Sequence, residues 1–377
     1  MRAGTFFGMA LISVVGLVMA EAPMGGPSKM KRKEKKALEE FKGKLEGKIV
    51  WSSSRSNTKH DIWIMNADGT DKKQLTESEK VDWFSRFSPD GNTVLFVRSK
   101  MGWVPEGDAE IHEKWELWTI NVDGSDEKQV ADNACWGTWR PNGKEIVFAR
   151  GPKVVIKNLE TEEEKVIFDA EESIKKKTYS QQPELSPNGK YLAITLRGTT
   201  RETGIWDLEA EKWNSTGGGC QINWFPGGDR VLRMNEGMGN GGTEVLAINV
   251  KDGAPVQGIR GLRVLKELKL MVLPGRRSHE YFPKLDQSGK WMVWCATQRG
   301  HEHDLYDYEV YIWNIDTNKE KDFVRLTFHS GNDRWPDIYT GEPTAAGADE
   351  EAAAEEPATE ESGEEETAEE KAADEGE

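Results

Sequence analysis

Sulfur is scarce in this chain. Only three cysteines, Cys135, Cys220 and Cys295, are spread over 377 residues. An odd, widely spaced set is not a disulfide framework, and without a Cys-x-x-Cys pair a zinc ribbon is excluded. Cys295 follows Trp294 in an apolar strand and reads as a small buried hydrophobe. Long hydrophobic runs are equally few. One spans Phe6–Val18, short for a membrane span of about 20 residues, and no other stretch could cross a bilayer. With Arg2 before it and Val18-Met19-Ala20 closing it, residues 1–20 have the layout of a secretory signal, an uncleaved anchor being the alternative. No cysteine follows the run, so a lipoprotein is not expected. No P-loop is present, and no Ser-His-Asp set stands out. A periplasmic or secreted protein is the resulting expectation, with no membrane span once the signal is removed.

Charge is concentrated at one end. The formal net charge is −16, but residues 340–377 hold sixteen Asp/Glu against one Lys. That tail carries −15 and Arg2 carries +1, which leaves −2 for residues 21–339. A near-neutral body gives no case for nucleic-acid binding. The tail cannot bury a core, repels itself, and reads as disordered. Residues 21–47 are the opposite: SKMKRKEKKALEEFKGKLEGK at 28–48 is Lys-rich, and a partly helical, solvated linker is expected there.

The body is repetitive. Twelve residues recur with changing letters: FSPDGNTVLFVR at 87–98, WRPNGKEIVFAR at 139–150, LSPNGKYLAITL at 185–196, WFPGGDRVLRMN at 224–235 and LDQSGKWMVWCA at 285–296. Each is an apolar strand, a Pro/Gly turn and an alternating strand. Between copies lies a second hairpin, clearest as DIWIMNADGTDKKQLT at 61–76, ELWTINVDGSDEKQV at 116–130 and EVYIWNIDTNKEKDFVRLT at 309–327. Four-stranded antiparallel units at a period of about 40–60 residues are the signature of a β-propeller. The turn glycines Gly91, Gly143, Gly189, Gly228 and Gly289 mark five complete blades. Ahead of them residues 48–75 supply three strands with none in front, and after them comes DRWPDIY at 333–339. The spacing predicts an all-β, six-bladed propeller over 48–339, its ring closed by the C-terminal strand. Closure protects strand edges that an open sheet would leave unpaired. The Asp68-Gly69 and Asp123-Gly124 pairs lie between strands and read as hairpin turns rather than metal loops.

The SPDG turns followed by W-x-x-N-x-DG-[ST]-[DN] resemble the TolB-like β-propeller family of exported bacterial proteins, a WD40-like repeat fold. The likeness runs over 48–339 and is clearest in SSSRSNTKHDIWIMNADGTDKKQLT and FSPDGNTVLFVRS. It implies the fold; the family includes periplasmic protein-binding propellers and propeller halves of larger enzymes. Residues 21–47 are too short for the separate N-terminal domain of TolB itself, so contacts made through that domain are not carried over. No hydrolase domain follows the propeller, which leaves an oligopeptidase reading without its catalytic half.

Function in a propeller depends on loops. The turns between strands one and two, and three and four, are short. The other face carries insertions at 99–114, 258–280 and 297–308, from blades 2 and 6 beside blade 1, and all six histidines map there. Trp103, His112, His279, His301, His303, Asp304, Asp333 and Arg334 are therefore the predicted binding residues, for an envelope or secreted protein or a glycan. His301 and His303 with His279, His329, Asp304 and Asp307 could instead ligate a divalent metal, since His and carboxylate together suit Zn, Mn or Ni. That alternative is a metal-dependent enzyme of the polysaccharide-lyase type; without it no cofactor is expected. A second candidate is a polar ring five residues before each turn glycine: Arg86, Thr138, Glu184, Asn223 and Lys284, joined by Asp337. Its expected role is structural, with Asp337 pairing with both Lys284 and Arg86, and a small-ligand pocket is the alternative. A monomeric, non-enzymatic scaffold is the leading expectation.

Overall fold

The structure, a computed structural model, describes residues 30–341 apart from 57–58, 175–176, 199–200, 237–242, 257–267, 272–278, 298–303, 305–306, 318–322 and 330. The predicted signal, the acidic tail from residue 342, and His301 and His303 therefore lie outside the described residues.

Six antiparallel sheets form the ring. Blade 1 places Asp333–Tyr339 innermost, followed by Lys48–Ser53, Asp61–Asn66 and Lys73–Gln74. The innermost strands of blades 2 to 6 are Asp82–Phe87, Cys135–Trp139, Tyr179–Leu185, Cys220–Trp224 and His279–Leu285. In blade 5 the strand Leu268–Met271 also pairs with Thr243–Lys251. The C-terminal strand closes the ring as the repeat count requires, with Ile49 opposite Ile338 and Val50 opposite Asp337. Trp335, Ile338 and Tyr339 are buried in that seam. Gly91, in the neighbouring turn, has φ +72°, and a Cβ there would run into the Tyr339 ring, so both its backbone and its surroundings demand glycine.

All six innermost strands carry a bulge. At each, the residue two before the polar ring position is left-handed: Phe84, Trp136, Gln182, Gln221, Phe282 and Trp335 have φ between 49° and 60°. Bulky side chains rarely adopt this conformation, and such strain persists only where packing enforces it. Here the packing is an aromatic plug around the axis. Phe84 meets Trp136 at 4.9 Å between ring centroids, Phe282 meets Trp335 at 5.2 Å, and Trp83 meets both Trp136 and Trp335.

The expected partly helical segment is docked on the ring rather than solvated. Arg32–Phe41 form a helix, α1, whose Leu38 and Phe41 are buried against Val324 and Leu326 of blade 6 and Ile49 of blade 1. Beyond its end, the Gly43 N–H donates to Asp68 of blade 1 at 2.8 Å. Leucine and phenylalanine three apart share one helical face, which explains how so lysine-rich a segment docks. The helix straps the seam where the ring closes.

Candidate functional site

On the loop-rich face the blade 2 insertion forms a strap from Lys100 to Lys114, with one-turn 3₁₀ helices at Glu106–Asp108 and His112–Lys114. Its middle is held at two points by different blades. The Glu106 carboxylate accepts from Arg334 at 3.1 Å, and the Glu106 N–H donates to Asp304 at 3.0 Å. Four residues on, the Glu110 carboxylate accepts from Gln181 at 2.6 Å and pairs with Arg197 at 2.9 Å, both in blade 4. The strap thus crosses the axis, and its Val104 and Ala109 are buried in the same core as the aromatic plug.

Beneath it sits a buried polar cluster. Arg334 is 1% exposed and lies on the Trp335 ring, 3.8 Å from its centroid. Its guanidinium also bonds Asp304 at 3.0 Å and contacts His60 Nε2 at 3.3 Å. His60 Nδ1 in turn contacts the Ser52 hydroxyl at 3.1 Å. Burial and the adjacent Arg334 hold the His60 imidazole well below its ordinary pKa, so it is neutral. Burial pushes the Glu110 carboxyl up, and the Cys135 and Cys295 thiols likewise, which makes those cysteines inert.

These positions change the sequence-based picture. Trp103, from the strap, is 43% exposed and lies 6.3 Å from the His60 ring. Met101 and Ile111, on the same strap, are 68% and 42% exposed. Asp333 and Arg334, expected on the binding surface, are instead buried. Asp333 accepts from Trp51 Nε1, Ser53 and Arg55 at 3.1, 2.5 and 2.6 Å. Cations and carboxylates from three blades neutralise one another here and stiffen the loops. His112 pairs with Glu113 at 3.3 Å, and His329 Nδ1 accepts from the Gly331 N–H at 2.8 Å. His279 is half-buried with Nδ1 unpartnered among the described residues, and Asp307 is half-buried. Among the described residues no three metal-ligating side chains come together.

The polar ring converges on the axis and stitches blades together. Asp337 accepts from the Phe87 N–H at 2.8 Å, Thr138 donates to Pro183 O at 2.7 Å, and Asn223 donates to Pro283 O at 3.1 Å. Lys284 pairs with Glu184 at 2.6 Å. The expected double pairing of Asp337 with Lys284 and Arg86 is not what forms. Both cations act on it only at longer range, and burial pushes its carboxyl up. Arg86 is the exception among the six. Its guanidinium donates to the adjacent Ser85 O at 2.7 Å and lies 3.9 Å over the Phe84 ring, while its Nε has no partner among the described residues. Above the ring a cavity of about 310 Å³ opens on the short-turn face, rimmed by Pro89, Pro141, Pro187 and Pro226. The signal for this architecture was in the sequence: a bulky or amide residue, any residue, then the ring residue, as in Phe84-Ser85-Arg86 or Trp335-Pro336-Asp337.

No family model matches the chain. Over 92 residues it is 29% identical to an uncharacterized protein of Agrobacterium fabrum, Atu1656, a stretch covering 23% of this chain and 27% of that protein. The chain therefore matches only about a quarter of that relative's length. Among solved structures it is similar to a putative TolB from Agrobacterium tumefaciens, at 12% identity, 78% of this chain, 99% of that chain and a TM-score of 0.51. It is also similar to a chain of a nidogen/laminin complex, at 10% identity, 78% and 99% coverage and a TM-score of 0.52. An oligogalacturonate lyase in complex with manganese matches at 13% identity over 75% of this chain and 74% of its own, with a TM-score of 0.44. At such identities the likeness is one of fold alone: the chain is a six-bladed β-propeller, as its six antiparallel sheets show.

Proposed function

We propose that this chain is an exported, non-enzymatic scaffold that captures a protein partner on the face where the loops of blades 6, 1 and 2 meet. The layout of residues 1–20 supports export. The observation that carries the binding reading is the exposure of Met101, Trp103 and Ile111 on a strap anchored at Glu106 and Glu110. Trp and Met are typical anchors of protein interfaces, and a surface fixed in advance loses little entropy on binding. A glycan could stack on Trp103, but the exposed Met101 and Ile111 on the same strap favour an apolar protein surface. The test is partner capture from an envelope extract by immobilised full-length chain. Trp103→Ser with Met101→Ser should lose the captured protein while the melting temperature stays within a few degrees. Undiminished capture by that variant would refute the reading.

A further inference from the structure

The funnel on the opposite face is a separate site, and nothing about the strap bears on it. Five of the six ring residues use their side chains to join different blades, Asp337, Thr138 and Asn223 reaching the next blade and Lys284 and Glu184 bridging blades 6 and 4. Arg86 does not. It is a buried cation at the floor of an open cavity, with no carboxylate among the described residues in ion-pair contact and one N–H left unpartnered. On the neighbouring blade Asp337 lines the same cavity, its carboxylate holding the Phe87 N–H and in no ion pair among the described residues. The other two charges, Lys284 and Glu184, already satisfy each other at 2.6 Å. The floor therefore presents one cation and one carboxylate on adjacent blades, neither in an ion pair among the described residues, under walls contributed by Phe87, Trp139, Leu185 and Leu285.

We propose that this funnel binds a zwitterionic α-amino acid with an apolar side chain, its carboxylate on Arg86, its ammonium on Asp337 and its side chain against the aromatic and aliphatic walls. The chemistry follows from the floor. A buried guanidinium recognises carboxylate through paired N–H donors. A ligand of single charge would leave one of the two groups buried and unmatched. The volume, about 310 Å³, has room for the largest amino-acid side chains.

Titration calorimetry on the full chain tests this with L-phenylalanine, L-leucine and L-tryptophan as probes. Saturable one-to-one binding is expected for at least one of them. N-acetyl-L-phenylalanine, which lacks the ammonium, and phenethylamine, which lacks the carboxylate, should each bind at least about tenfold more weakly than L-phenylalanine. Arg86→Met and Asp337→Asn should each weaken binding by a similar factor. Asn at 337 keeps an oxygen for the Phe87 N–H, and the two modified ligands test both charges even if a variant fails to fold. Trp103→Ser should leave amino-acid binding unchanged, which separates this site from the strap face. Absence of saturable binding up to about 10 mM, or equal binding of the acetylated and amine analogues, would overturn the proposal.

Discussion

His60 and Arg334 show how a residue that looks functional in sequence becomes structural once folded. His60 is enclosed by Arg334, Trp103, Trp335 and Ser52 and stays neutral in the fold. Its folded pKa is depressed below the ordinary value near 6.5, so below about pH 6.5 the unfolded chain binds the extra proton and the folded chain does not. This group's contribution to stability is therefore full above that pH and is lost on acidification, at about 1.4 kcal/mol per pH unit until the folded pKa is reached. Chemical denaturation from pH 7 to pH 5 should show wild type losing stability faster than His60→Gln; parallel pH profiles would contradict a buried neutral imidazole. Arg334→Met would remove the cation that Glu106 and Asp304 share. Breaking a buried charge network by deleting one partner costs roughly 3 kcal/mol or more. Urea unfolding should show that loss, together with faster proteolysis of the strap; a change under about 1 kcal/mol, within the range of a surface pair, would argue against the anchoring role.

Two elements hold the ring shut, one at each end of the described chain. The strand Asp333–Tyr339 supplies the innermost position of blade 1 and buries Trp335, Ile338 and Tyr339, each contributing roughly 1.5–3 kcal/mol of apolar burial. A chain ending before residue 333 loses that strand, whereas a chain ending at residue 341 keeps every described strand. The first truncation should abolish cooperative thermal unfolding and the second should leave the melting temperature almost unchanged. Equal melting of the two would contradict closure through this strand. Helix α1 braces the same seam from outside. Phe41→Ala, which empties a contact with Trp291 at 5.7 Å between ring centroids, should destabilise by about 3 kcal/mol in urea unfolding. No measurable effect would mean that the helix rests on the ring without supporting it.

At the scale of the whole molecule, the parts set by short-range pattern were legible and those set by long-range pairing were not. Alternation and Pro/Gly turns are local, so the blades, the turn glycines and the closing strand could be read from the chain. The polar ring was legible because Arg86, Glu184 and Lys284 recur at one offset from those glycines. The anchoring of the strap was not, because Glu106 and Arg334 stand 228 residues apart and nothing local tells a carboxylate which cation it will meet. The same gap hid the burial of Asp333. The capture of a protein by the strap face is tested most directly by placing a photo-crosslinking amino acid at positions 101, 103 and 111, with exposed positions 142 and 188 on the opposite face as controls. Irradiation of cells expressing each variant should give one covalent adduct of the same size at the three strap positions and none at the controls. Adducts at 142 or 188 with none at 101, 103 or 111 would place the partner on the other face and contradict the strap as the site of capture.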